Sequence, residues 1–228
     1  MRTRYEAEVP SELLMMLLGD ARLPVAGHTQ SAGLEPAVQH GLTAEEVPLY
    51  LAARLQSVVR VEAGTAVVAL RHLVAGRRVE PVLRAWSART PSPALRKASR
   101  TQARAFLRLS ARLWPDSPYV AAVGALHQPP RAVAVAAAAA TVGLSSRSVA
   151  RLVAYDDVQT VAAAALKLLP MDPATAAGWV HDAFGSITAL ADELADLREP
   201  GQVPASAAPQ IEVWAEVHAV TSRRLFSA

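Results

Sequence analysis

Apolar and polar positions recur at helical spacing along this chain. Leu51, Leu55, Val58 and Val59 form one stripe, and Val67, Leu70 and Val74 repeat it. Steps of three and four residues keep such side chains on one face of a 3.6-residue helix. The longest clean pattern covers residues 94–114, with Leu95, Ala98, Phe106, Leu109 and Leu113 predicted inward. Residues 131–144 are apolar nearly all round. A helix without a polar face must be enclosed, so this one is predicted to be central. No run alternates every two residues as a strand would, and no fixed-period repeat occurs. The pattern predicts an all-α fold, a single globular helical domain of about nine or ten helices over residues 1–228.

Punctuation divides the pattern into elements. Pro10-Ser11 opens the first helix, with Ser11 as its expected cap, and Gly19-Asp20 with Pro24 ends it. A polar, Gly-containing connector follows, and a helical pattern restarts near Leu34 and closes at Gly41. Gly27 and Gly33 permit turns or close backbone approach. Ser31 is placed to cap the restarted helix, and Glu35 sits where a helix N-terminus favours an acid. Thr43-Ala44-Glu45-Glu46 is a capping box. Further helices are expected at 62–75, 77–90, 119–126, 145–169 and, as one element, 172–197. Thr90-Pro91-Ser92-Pro93 and Trp114-Pro115-Asp116-Ser117-Pro118 are breaks. Residues 199–209, with three Pro and one Gly, read as an exposed linker. Residues 210–228 read as a C-terminal partner-docking segment, because Leu225-Phe226 near the terminus calls for a surface to cover it.

Composition narrows this picture. At 228 residues the chain is long enough to bury a core without staples. Hydrophobic residues make up 52% but aromatic ones only 5%, so Ala, Leu and Val must fill the interior through close helix contacts. The absence of Cys excludes disulfides and thiolate metal sites and permits a reducing, cytoplasmic setting. No secretory leader is evident, and the most apolar segment is well short of the ~20 residues of a membrane span. The formal charge of +3 is too small to demand a polyanionic partner.

Catalytic signatures are missing. Neither a G-x-S-x-G nor a phosphate-binding G-x-x-x-x-G-K-[ST] occurs. Asp156 and Asp157 are adjacent, so on a helix they point about 100° apart, and a helix surface or cap accounts for them. The six His are scattered, and surface or capping roles are expected; a passing nickel or zinc contact is left open at His28 and His218. No catalytic residue, cofactor or resident metal is expected. Arg96, Arg100, Arg104, Arg108 and Arg112 recur every four residues, each rotated about 40° from the last. This row could meet an acidic partner or phosphates; for most of it the plainer reading is a solvated face, with Arg96 and Arg104 held apart.

Three blocks carry a resemblance. The first is Asp20-Ala21-Arg22-Leu23-Pro24, Gly27-His28 and Ser31-Ala32-Gly33-Leu34-Glu35. The second runs from Arg89-Thr90-Pro91-Ser92-Pro93 through Arg96-Lys97-Ala98-Ser99 and Gln102-Ala103-Arg104 to Trp114-Pro115-Asp116-Ser117. The third is the tail from His218 to Phe226. Together they resemble the UreF family of urease accessory proteins, particularly its actinobacterial branch. The chain departs from that pattern at Gln30, Ala32, Ala103, Ala219 and the run Ala154-Tyr155-Asp156-Asp157. The resemblance implies a non-enzymatic, all-α, homodimeric scaffold in the cytoplasm. It would sit between the GTPase UreG and the scaffold UreD (also called UreH), delivering nickel to apo-urease and modulating GTP hydrolysis by UreG. It also implies that the terminal segment orders on UreD. The candidate partner-interface residues are Arg22, His28, Ser31, Glu35, Arg96, Arg104, His218, Arg223, Arg224, Leu225 and Phe226, with neither nucleic acid nor membrane as partner. The competing reading is an all-α DNA-binding transcriptional regulator using the helix of Arg96 to Arg112.

Overall fold

A computed structural model describes residues 10–24, 29–222 and 224–227. These residues form no strand and are predominantly helical. In order the helices are α1 (Ser11–Leu18), α2 (Leu34–Gln39), α3 (Val47–Gln56), α4 (Val58–Val74), α5 (Glu80–Arg89) and α6 (Pro93–Leu113). They continue as α7 (Pro118–Gly124), α8 (Arg131–Thr141), α9 (Ser146–Leu168), α10 (Pro173–Asp182), α11 (Phe184–Leu194) and α12 (Pro209–Val220).

The Ala-rich α8 is the centre. Every residue from Ala132 to Ala140 is buried, and α4, α6, α7 and α9 pack on it. Ala and Val side chains are short, so neighbouring helix axes approach closely and the interior stays dense with few aromatics. Helices α10 and α11 lie on α9, α5 on α4, and α12 on α2 and α6.

Local signals start most helices. Ser92, Ser117, Ser145 and Asp172 each accept a bond from a backbone N–H of the helix they precede, satisfying donors that a helix start leaves free. Thr43 and Glu46 form the expected capping box around a single 3-10 turn. Helix α1 differs: Pro10 occupies the cap position and no side chain caps it. The stripe Leu51–Val59 does not lie on one helix, because Ser57 (φ −124°, ψ −97°) separates α3 from α4. The expected 172–197 helix is likewise divided at Ala183. On α6 the buried residues are Ala103, Ala105, Phe106 and Ser110, while Leu113, expected inward, is exposed.

Residues 199–209 are more tightly held than a linker. Arg89 donates from Nε to the Val203 carbonyl at 2.6 Å and from Nη2 to that of Gly201 at 3.1 Å. Arg77 binds Glu199 at 2.7 Å. Val203 is buried, and Pro204 seats on α4 where Gly64 has no side chain: a Cβ there would lie 2.6 Å from Pro204 Cδ. The stretch is a strap across α4 and α5 that delivers the chain to α12.

Candidate partner-docking site

The connector before α2, the Thr90–Pro93 break and the C-terminal segment meet around α12. The connector turns sharply. Ala32 (φ 52°) and Gly33 (φ 79°) both adopt the left-handed region, which costs a non-glycine residue about 1–2 kcal/mol. Ala32 thus stands where glycine would be less strained. The Tyr50 hydroxyl donates to the Ala32 carbonyl at 2.7 Å and holds the turn in place. Gly33, not Ser31, occupies the cap position of α2 and offers no side chain to it. Ser31 is buried beneath the turn.

The turn places Glu35 inside the protein, with a relative exposure of 3%. Its Oε2 accepts from His218 Nε2 at 2.9 Å and from the Phe226 amide at 2.9 Å; its Oε1 accepts from the Leu225 amide at 2.5 Å. An ionised carboxylate only accepts, so the His218 tautomer that donates from Nε2 is the one that fits. Burial pushes the Glu35 carboxyl upward, but the Leu225 amide, His218 and the Phe226 amide together outweigh it and hold it below the ordinary glutamate value. One buried anion therefore gathers α2, α12 and the tail. The Ser227 amide adds a bond to the Thr29 carbonyl at 2.7 Å. Phe226 is buried, with Lys167 Nζ 5.2 Å from its ring centre. Behind the ring is a cavity of about 100 Å³ whose lining includes Asp20, Gln30, Arg131, Asp156 and Gln159.

The other end of this arrangement is the Thr90–Pro93 break. Glu216 of α12 accepts from Ser92 Oγ at 2.5 Å and from the Ala94 amide at 3.0 Å, so α12 supplies an acid to the N-terminus of α6, where the helix dipole favours one. Arg96 turns back on the same break and donates to the carbonyls of Thr90 and Pro91 at 2.6 and 2.7 Å. Arg96 therefore ties a helix end within the subunit.

The remaining candidates separate. Arg22 forms a local pair with Asp20 at 2.8 Å, its side chain 90% exposed. The side-chain bond from Arg22, aided by its amide, lowers the Asp20 carboxyl to about 2. Arg104 is exposed, and among the described residues its Nη2 donates to Thr101 Oγ1 at 3.0 Å. Arg224 lies over the tail, its Nη1 3.4 Å from the His218 and Ser227 carbonyls. Leu225 is 63% exposed. His28 and Arg223 lie outside the described residues.

Two expectations are corrected. Asp156 and Asp157 are neither cap nor open surface. Asp157 receives a two-pronged bond from the buried Arg54 at 2.8 and 2.6 Å, and Asp156 pairs with Arg131 at 2.7 Å. Burial raises the Asp156 carboxyl; Arg131 opposes that rise and Asp157 adds to it. His72 and His218 are buried rather than on the surface. Among the described residues no group of His, Asp and Glu is arranged to hold a metal ion.

Glu216, Ser92, Tyr50 and Lys167 were not legible as site residues. A hint existed for Glu216, one of two acids spaced four residues apart among apolar positions of α12 (Ile211-Glu212-Val213-Trp214-Ala215-Glu216-Val217).

The UreF family profile matches residues 42–184. The chain belongs to the UreF family. A protein of Mycobacterium sp. (strain JLS) named urease accessory protein UreF is 36% identical, over 94% of this chain and 97% of its own length. The protein of the same name from Mycolicibacterium vanbaalenii is 34% identical over 94% and 97%, and that of Mycobacterium marinum 33% over 94% and 98%. For this UreF chain, the Glu35–His218–tail junction is the site at which the three blocks quoted from the sequence are joined or stand nearby. No helix among its described residues is long and apolar enough to cross a membrane.

Proposed function

We propose that this UreF protein is a non-enzymatic adaptor of urease maturation. It acts in the cytoplasm as a homodimer, bridges the GTPase UreG and the scaffold UreD, modulates GTP hydrolysis and serves nickel delivery to apo-urease. The observation that carries the adaptor reading is the outer face of α12. Val213, Val217 and Val220 are exposed and lie at i, i+4 and i+7, one face of a helix. The exposed Leu225 follows them on a tail that Glu35 anchors. An apolar stripe rimmed by charge, on a helix held firmly at both ends, is the surface of a protein-binding element. In this reading UreD covers the stripe.

The test is co-purification of the full chain with UreD and UreG. The wild-type chain is expected to be retained by UreD, alone or with UreG. Val217→Asp with Val220→Asp, or deletion of residues 223–228, is expected to weaken that retention without changing helical content by circular dichroism. A chain that binds neither UreD nor the UreD–UreG pair, with urease maturing in its absence, overturns the adaptor reading. Undiminished retention of both variants overturns the assignment to α12 and the tail.

A further inference from the structure

Charge is segregated in this molecule. Residues 81–115 contain eight Lys and Arg and no Asp or Glu. All 20 acidic residues lie elsewhere, so the rest of the chain is net negative. The structure shows the consequence. Outside this segment, Arg22, Arg54, Arg60, Arg77, Arg131 and Arg147 each meet a carboxylate within ion-pair distance. Among the described residues, Arg84, Arg100, Arg104, Arg108 and Arg112 meet none. Arg104, Arg108 and Arg112 are exposed along α6.

The row ends at a recess. Leu83, Arg84, Trp86, Arg100, His127 and Pro130 line a cavity of about 300 Å³ that opens to solvent. The Arg100 guanidinium carbon lies 5.8 Å from the centre of the Trp86 ring, and Arg100 Nε is buried without an acceptor. Trp86 is itself fixed, its Nε1 donating to Glu62 Oε1 at 2.5 Å. The recess thus offers guanidinium donors over apolar walls, a setting in which a carboxylate gains more than on open surface.

We propose that the α6 face and this recess bind an acidic segment of a partner protein, one carboxylate entering between Arg84 and Arg100 and others pairing along Arg104 and Arg108. Three observations select this occupant. A second copy joined through a two-fold axis here would set the same unpaired cations against each other. The arginine row rotates about 40° per step, so it tracks around the helix as a peptide can and a straight duplex cannot. The recess has apolar walls suited to the stem of a glutamate. This deepens the adaptor reading by adding an acidic partner surface separate from the α12 stripe.

The experiment titrates the full chain with an N-acetylated hexaglutamate amide and, separately, with a 20-base-pair DNA duplex and with inorganic phosphate. It follows the Trp86 indole N–H by NMR. The peptide is expected to bind saturably, to move the Trp86 resonance and to weaken as salt rises. Arg100→Gln with Arg104→Gln and Arg108→Gln should weaken it about tenfold, one pair in the recess and two exposed pairs being lost. Arg147→Gln, outside the cationic segment and paired with Asp192, should leave it unchanged. The absence of saturable peptide binding at low salt, an undiminished affinity in the triple variant, or tighter binding of duplex or phosphate than of the peptide would each overturn the proposal. The titration reads this face alone, whereas the co-purification reads the adaptor role through α12. Either can fail while the other stands.

Discussion

Replacing Glu35 with Gln tests the junction on which the tail depends. The change keeps size and shape, removes the charge, and puts an amide N–H₂ where one carboxylate oxygen accepted. In the wild-type chain two tail amides and His218 donate to that carboxylate. A hydrogen bond to a charged group contributes about 1.5–3 kcal/mol net, so the two tail amides supply roughly 3–6 kcal/mol. Burying Phe226 adds about 1.5–3 kcal/mol. Ordering the four residues 224–227 costs about 1–2 kcal/mol each, roughly 4–8 kcal/mol in all. Gains and costs nearly balance, so the tail is held by a margin of about 1 kcal/mol. Losing a single charge-assisted bond exceeds that margin. Glu35→Gln should therefore release the tail while the helical body stays folded. Hydrogen exchange read by mass spectrometry or NMR should show protection at Leu225, Phe226 and Ser227 falling about fivefold, to the level of a free peptide. Amides of α8 should keep theirs. Acid should mimic the substitution. The folded-state pKa of Glu35 is depressed from its ordinary 4.5, so its contribution is complete above that value and is lost as pH falls through the lower folded value. The Phe226 amide resonance should accordingly be constant above about pH 4.5 and move below it, and in Glu35→Gln this transition should be absent. Equal protection of Leu225 and Phe226 in variant and wild type would refute the claim that Glu35 is the anchor.

The interior makes two further predictions. Arg54→Met should lower stability by about 3–5 kcal/mol in chemical denaturation, because Asp157 is left partly buried without its two-pronged partner; adding Asp157→Leu should recover more than half, and no recovery would show that the pair is not the cause. Gly64→Ala should destabilise by about 1–3 kcal/mol through the collision with Pro204, despite the better helix propensity of Ala, and Pro204→Ala in the same chain should restore most of the loss in melting temperature. A neutral Gly64→Ala would mean that the strap shifts freely.

Much of the fold was readable because its signals are local. A capping hydroxyl acts on an amide two or three residues away, and a proline acts on its neighbour. Hence Thr43, Ser145 and the Thr90–Pro93 break announce their roles in any context. The enclosure of residues 132–140 was also readable, since a helix without a polar face has one stable environment. The breaks at Ser57 and Ala183 escaped because the helical period runs through them; packing on different partners decides where one helix stops.

The candidate site divides along the same line. Local pattern was enough to put Glu35 in the first turn of a helix, an apolar pair near the C-terminus and an unbroken cationic series on α6. Helix packing turned Glu35 inward to meet His218, 183 positions away, and set Asp157 against Arg54, 103 positions away. The physical reason is that a charge's effect depends on what surrounds it at a few ångströms. Residues on separate elements acquire those surroundings only when the helices have packed. Arg96 and Arg104 make the point together: two turns apart on one helix, one closes a loop inside the subunit and the other faces solvent.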